Sequence, residues 1–153
     1  LRETVQQVAL ELALSAVGRG IDLALEGDGE AEVNGQALLV HELVSNLVDN
    51  ALHYTPRGGN VVLRVLPGES DVVLEVEDSG PGIPPEDRER VFSPFYRASA
   101  TMQANPGGSG LGLAIVRDIA AMHHAILELG NGADGRGLLV RVRFPRATPP
   151  PAA

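Results

Sequence analysis

Residues 60–84 read NVVLRVLPGESDVVLEVEDSGPGIP. Two β-branched runs, 61–66 and 72–77, flank Pro67-Gly68, a dipeptide that turns the chain. The spacing predicts two adjacent strands. The second runs into Asp78-Ser79-Gly80-Pro81-Gly82-Ile83-Pro84, a Gly/Pro-rich loop that opens on a carboxylate. Working outward, the pairing recurs. Val5, Val8, Ala9, Leu12, Ala13 and Ala16 predict a helix over 2–18, followed by an alternating strand at 21–25 and a short strand at 31–34. Residues 36–54 predict a second helix, ended by Pro56 and Gly58-Gly59. Residues 86–97 read as a short helical turn, 98–110 as a small, polar, glycine-rich mobile loop, and 111–123 as a third helix. A closing hairpin is expected from 126–129 and 138–144, and a disordered Pro-rich tail from 145–153. Strands arriving in pairs favour an α+β fold, a two-layer sandwich with helices packed on one face of a mixed sheet, over a doubly wound parallel one.

Composition narrows the function. The chain has 153 residues, which suits one domain, here 1–144. Twenty acidic against twelve basic residues give a net charge of −8, which argues against a duplex nucleic-acid partner. There is no cysteine, so disulfides, thiolate metal sites and cysteine nucleophiles are excluded. All twelve bases are arginine. A chain without lysine has no Walker A loop, no Schiff base and no strand lysine of a eukaryotic-type protein kinase. No apolar run is long enough to span a membrane and no signal peptide is visible, so a cytoplasmic location is expected. The opening Leu1-Arg2-Glu3 lacks an initiator methionine and suggests an excised piece.

Three stretches carry chemistry. On the 36–54 helix, Glu42, Asn46, Asn50 and His53 share an arc of about 80° while apolar residues cover the rest. Such a stripe is commonly a solvent-facing edge. Asparagine is a mediocre helix former, however, and its amide oxygen is a hard neutral ligand suited to phosphate-bound Mg²⁺. The loop after Asp78 is either an ordinary turn or a place where Gly80 and Gly82 let backbone approach a ligand. Finally, Gly107-Gly108-Ser109-Gly110-Leu111-Gly112-Leu113 runs from a flexible loop into an apolar helix. Helix N-termini bind phosphate, but this is not the dinucleotide fingerprint.

Together, Asn46-x-x-x-Asn50-Ala-Leu-His-Tyr-Thr-Pro, Asp78-Ser-Gly-Pro-Gly-Ile, Phe92-Ser-Pro-Phe-Tyr and Gly108-Ser-Gly-Leu-Gly-Leu closely resemble the N, G1, F and G2 boxes of bacterial sensor histidine kinases. The match runs from about Leu23 to Phe144, so the chain looks like the catalytic, ATP-binding domain of such a kinase. That domain shares its sandwich with gyrase, MutL and the heat-shock chaperones. The resemblance implies ATP and Mg²⁺ as ligands, with Asn50 on the metal and Asn46 near the γ-phosphate. Gyrase-type ATPases carry a glutamate there, and an amide cannot act as that base. It further implies that Asp78 accepts from the adenine amine, Tyr54 packs on the base, Ile83 lines its pocket, and Gly80 and Gly82 shape the floor. Gly108, Gly110 and Gly112 would hinge a lid, 98–110, over the phosphates, Ser109 and Leu111 would join them in binding the nucleotide, and Arg97 would reach the γ-phosphate or remain a surface arginine.

There are departures. Many relatives carry lysine where His53 stands, which leaves the role of His53 open. The phosphoacceptor histidine, on a separate dimerisation domain, is missing: His41-Glu42 imitates its start only, and His53, His123 and His124 lack its context. His123 and His124 are expected as partners of a helix C-terminus. The implied partners are that dimerisation domain and, indirectly, a response regulator, within a parent that is an inner-membrane sensor. A free-standing serine kinase of the anti-sigma type and a non-enzymatic nucleotide-binding module are the other readings.

Overall fold

The computed structural model describes residues 1–27, 29, 32–92 and 112–147. Helix α1 (Arg2–Gly18) leads into strand β1 (Asp22–Glu26), and α2 (Ala37–Tyr54) into β2 (Asn60–Pro67) and β3 (Asp71–Asp78). Helix α3 (Gly112–Met122) precedes β4 (Ile126–Asn131) and β5 (Leu138–Pro145). The five strands form one sheet in the order β1-β2-β3-β5-β4. β1 and β2 are parallel, and the other neighbours antiparallel. This is the mixed sheet with a helical layer that the paired strands predict.

Period-two patterning sets the two faces. On the helix side, registered rows such as Leu63–Val76–Val140 and Val65–Leu74–Val142 are all buried. Helix α2 seats Leu43, Val44, Leu47, Val48, Ala51 and Leu52 in that layer, flanked by α1 and α3. The same alternation that buries Val72, Leu74 and Val76 puts Asp78 on the core side at the end of β3.

The other face carries charges in register. Glu26, Arg64, Glu75, Arg141 and Glu128 are neighbours across all five strands, with alternating sign. Arg64 bonds Glu26 at 3.0 Å, Glu75 at 3.3 Å and Glu77 at 2.9 Å, and Arg141 bonds Glu75 at 2.8 Å. A one-residue slip would bury these charges and expose the valines, so the ladder and the core enforce the same register.

Several boundaries differ from expectation. Of the expected 31–34 strand, residue 31 lies outside the described residues, and residues 32–34 contribute one bridge, Val33 to Arg146, because Gly35 and Gln36 already turn the chain into α2. The expected tail begins inside the sheet: β5 includes Pro145, and Ala147 N–H donates to Glu32 O at 2.8 Å. Residues 148–153 lie outside the described residues. His123 does bond the last turn of α3, but as a buried ring: Nδ1 donates to Ile119 O at 2.8 Å and Nε2 accepts Gln36 N–H at 3.2 Å. That pattern requires the neutral tautomer and ties the end of α3 to the start of α2. His124 holds a left-handed conformation (φ 56), while Ala125 N–H reaches back to Ala120 O at 2.9 Å.

Glu75 bridges two arginines and is 7% exposed, whereas the Glu128 side chain at the ladder's end is 44% exposed. Glu75→Ala removes the buried carboxylate shared by Arg64 and Arg141, leaving Arg64 with Glu26 and Glu77 and Arg141 with Glu128 alone, and is expected to cost about 1–3 kcal/mol. Glu128→Ala should stay within about 0.5 kcal/mol. Urea denaturation of both variants checks this, and equal losses would contradict the ladder's graded role.

Candidate nucleotide site

The polar stripe of α2 faces the start of α3. Asn46 Nδ2 donates back to Glu42 O at 2.8 Å, which leaves Oδ1 directed away from its own helix. A Cβ added to Gly112, the first residue of α3, would lie 3.8 Å from that oxygen. The N-terminal N–H groups and positive dipole end of an eleven-residue helix therefore stand beside an amide acceptor. One turn on, the Asn50 amide makes no hydrogen bond among the described residues. His53 and Tyr54 finish the helix with rings edge to face, centroids 5.2 Å apart. Thr55 then closes it, its Oγ1 donating to Ala51 O at 2.7 Å.

Asp78 is 8% exposed. Its Oδ1 accepts N–H from Gly80 at 2.9 Å and from Leu138 at 3.3 Å. Oδ2 accepts nothing among the described residues. Burial pushes the carboxyl up from 3.8 to about 6. The two backbone donors pull against that shift, and the charge of Glu77 adds to it. The surrounding loop is built on close approaches. A Cβ on Gly80 would sit 2.7 Å from Tyr54 O. Gly82 (φ 76) packs on Gly137 O, and Gly137 (φ 73) packs on Asp78 O. Ile83 is buried in the core cluster. Ser79 leaves the loop sideways, its Oγ accepting Asn60 N–H at 2.8 Å.

A cleft of about 580 Å³ opens between residues 53–56, 79–81 and 135–137. It brings together His53, Tyr54 and Gly80. Asp78, Gly82 and Ile83 flank it in sequence without lining it; Asn46, whose Oδ1 lies toward Gly112 of α3, and Asn50 do not line it either. Arg97, Gly108, Ser109, Gly110, Leu111 and the whole 98–110 segment lie outside the described residues. Participants that sequence reasoning misses are Gly137, Arg136 and the Leu138 N–H. A backbone donor leaves no trace in residue type, but the Gly135-Arg136-Gly137 triplet in a hairpin turn is a readable signal of tight backbone. Among the described residues no group of three or more His, Asp or Glu could cage a metal. A divalent ion here would fit only as one shared between an amide oxygen, phosphates and water, the coordination Mg²⁺ favours.

The Asp78 carboxyl links site to stability. Its folded pKa lies above the unfolded one, so its contribution is fully present below pH 3.8 and is lost as pH rises through about 6. Above pH 7 the buried anion costs the fold about 3 kcal/mol. Asp78→Asn keeps an acceptor for Gly80 and Leu138 and removes the charge. In urea melts the variant should be the more stable protein, with a margin that widens by roughly 1–2 kcal/mol from pH 5 to pH 8. A margin independent of pH would contradict the burial cost.

Residues 35–148 match the family described as histidine kinase-, DNA gyrase B- and HSP90-like ATPases. Sensor protein kinase PmrB of Pseudomonas aeruginosa is 42% identical over 156 residues, covering 99% of this chain and 32% of that protein. The chain thus spans about a third of the length of that curated relative. The mycobacterial sensor histidine kinase MprB superposes with a TM-score of 0.83 at 26% identity, covering 97% of both chains. Histidine kinase ThkA, solved in complex with response regulator protein TrrA, gives a TM-score of 0.80 at 26% identity, covering 96% of this chain and 40% of that one. With three-quarters of its length matched by one family model, the chain belongs to the histidine kinase-, DNA gyrase B- and HSP90-like ATPases.

Proposed function

We propose that the chain is the catalytic domain of a two-component sensor histidine kinase. It binds Mg²⁺–ATP and donates the γ-phosphoryl group to a histidine on a dimerisation domain of the same kinase, from which a response regulator is charged. The observation that carries the reading is Asp78: a carboxylate at a core-facing strand position, held through one oxygen by two backbone donors, with the other oxygen accepting nothing among the described residues. Asp78 takes the adenine exocyclic amine as its missing donor, because an ionised carboxylate only accepts. Tyr54 packs on the base. Gly80 and Gly82 form the floor, and Ile83 backs it from the core.

At the other end of the stripe, the Asn50 amide oxygen holds Mg²⁺, and Asn46 together with the N-terminus of α3 at Gly112 receives the terminal phosphates. The bound metal supplies charge neutralisation along the phosphate chain. Asn46 cannot take a proton from water, so the site positions the γ-phosphate without activating hydrolysis. Arg97 and the segment from Gly108 through Ser109, Gly110 and Leu111 complete the phosphate end as a lid, and His53 stands beside Tyr54 on the cleft. The unit is 1–144, with α1 as its N-terminal helix. Among the described residues no helix is long and apolar enough to cross a membrane. Membrane anchorage belongs to other parts of an inner-membrane sensor, with this domain on its cytoplasmic side.

Two of the chain's four histidines are already engaged elsewhere. His41 is paired with Glu11 at 3.0 Å, and His123 is buried with both ring nitrogens engaged. The names of the matched relatives favour a sensor kinase over a free serine kinase.

The purified chain, given labelled ATP and Mg²⁺, should bind nucleotide, leave its own histidines unlabelled and phosphorylate a separately supplied dimerisation domain. Acid-labile phosphate on the chain itself would sink the reading. Asn50→Ala should abolish transfer by at least about a hundredfold while leaving the melting temperature near wild type, since alanine is the better helix former. Transfer at the wild-type rate would remove Asn50 from the metal.

A further inference from the structure

The β4–β5 turn places a cation on the cleft that the proposed site does not use. Arg136 stands between Gly135 and Gly137, both at φ 73. Its backbone is fixed: Arg136 N–H donates to Ala133 O at 3.2 Å, and the neighbouring Gly137 is pressed against Asp78. Its side chain is exposed and makes no hydrogen bond or ion pair among the described residues. Arg64, Arg141 and Arg143, by contrast, are each tied to carboxylates on the sheet. Among the described residues no carboxylate lines the cleft, although the chain carries a net charge of −8. Among the described residues Arg136 is the only permanently charged one along its walls, which it shares with Tyr54 at the end of α2.

We infer that Arg136 determines affinity and base selection at the nucleotide site, its planar guanidinium closing over the face of the nucleobase turned away from Tyr54. The inference rests on the nucleotide reading of the site, in which the base held by Asp78 lies against Tyr54 and so borders the cleft that Tyr54, Gly80 and Arg136 line. Guanidinium groups stack on π faces as ammonium groups cannot, and a cation over a ring gains from its quadrupole. Position along α2 assigns Arg136 to the base and not to the phosphates. It shares the cleft with Tyr54, eight residues and about 12 Å along the helix from Asn46, where α3 begins. A residue acting there acts equally on every ligand that carries the base, whatever its phosphate count.

The test is titration of the wild-type chain, Arg136→Ala and Arg136→Lys with ATP, ADP, AMP and adenosine, by calorimetry and, for the weaker ligands, by amide chemical-shift changes. Arg136→Ala should weaken all four by the same factor, about two- to fivefold, and Arg136→Lys should recover only part of the loss. A loss that grows with phosphate number, no loss, or full recovery by lysine overturns the inference while leaving the nucleotide site standing. If the wild-type chain binds none of the four, the nucleotide reading falls and the inference with it. Thermal melts of both variants should match wild type, because the side chain is exposed and unbonded.

Discussion

A carboxylate sits where a strand's alternation calls for a hydrophobic side chain, and much of the domain is arranged so that this is tolerable. Asp78 occupies the last core-facing position of β3, directly across from Val61. One of its oxygens is satisfied by Gly80 and by Leu138, the first residue of β5. The loop that follows can fold under the end of α2 only because Gly80 has no side chain to strike Tyr54 O. The β4–β5 turn can approach only because Gly137 has none to strike Asp78 O. Three separate segments are thereby drawn to one point, the usual signature of a position kept for binding at some expense in stability.

The two faces of the sheet divide the labour. The helix side supplies burial, with α2 inserted between α1 and α3 above β2 and β3. Among the described residues the far side has no helical cover, and it is held by charges that pair only in the correct register. α2 belongs to both tasks: its apolar faces are core, and its remaining stripe carries the polar groups toward α3. The neutral His123 bridge fixes the far end of the same helix pair, so the two helices are clamped at one end and face each other across Asn46 and Gly112 at the other.

Much of this was legible in the sequence. The helices and the strand pairs have strong periodicity, and their bounds fall within a residue or two of expectation, as for 36–54 against Ala37–Tyr54. What periodicity cannot supply is pairing. That β3 neighbours β5 and not β4, and that β1 runs parallel to β2, depends on contacts between distant segments. The charge ladder exists only once that register is known, so Glu75 between Arg64 and Arg141 was invisible as a linear pattern. The 31–34 strand shrank for the opposite reason: among the described residues its local β preference found only Arg146 and Ala147 to pair with. In the site, Asp78, Gly80, Gly82 and the asparagine stripe stood out because each breaks a local rule. Leu138 breaks none, and contributes through a backbone N–H.

The central claim, that the buried Asp78 carboxylate is an acceptor waiting for an adenine amine, is open to one direct measurement: calorimetric titration of the chain with ATP and with GTP at equal Mg²⁺. Guanine offers a carbonyl oxygen where adenine offers an amine, which would set acceptor against acceptor and leave a buried charge unpaired. The account predicts that ATP binds and that GTP is weaker by at least about tenfold, a gap that Asp78→Asn narrows. Equal affinities for the two nucleotides in the wild-type chain would contradict it.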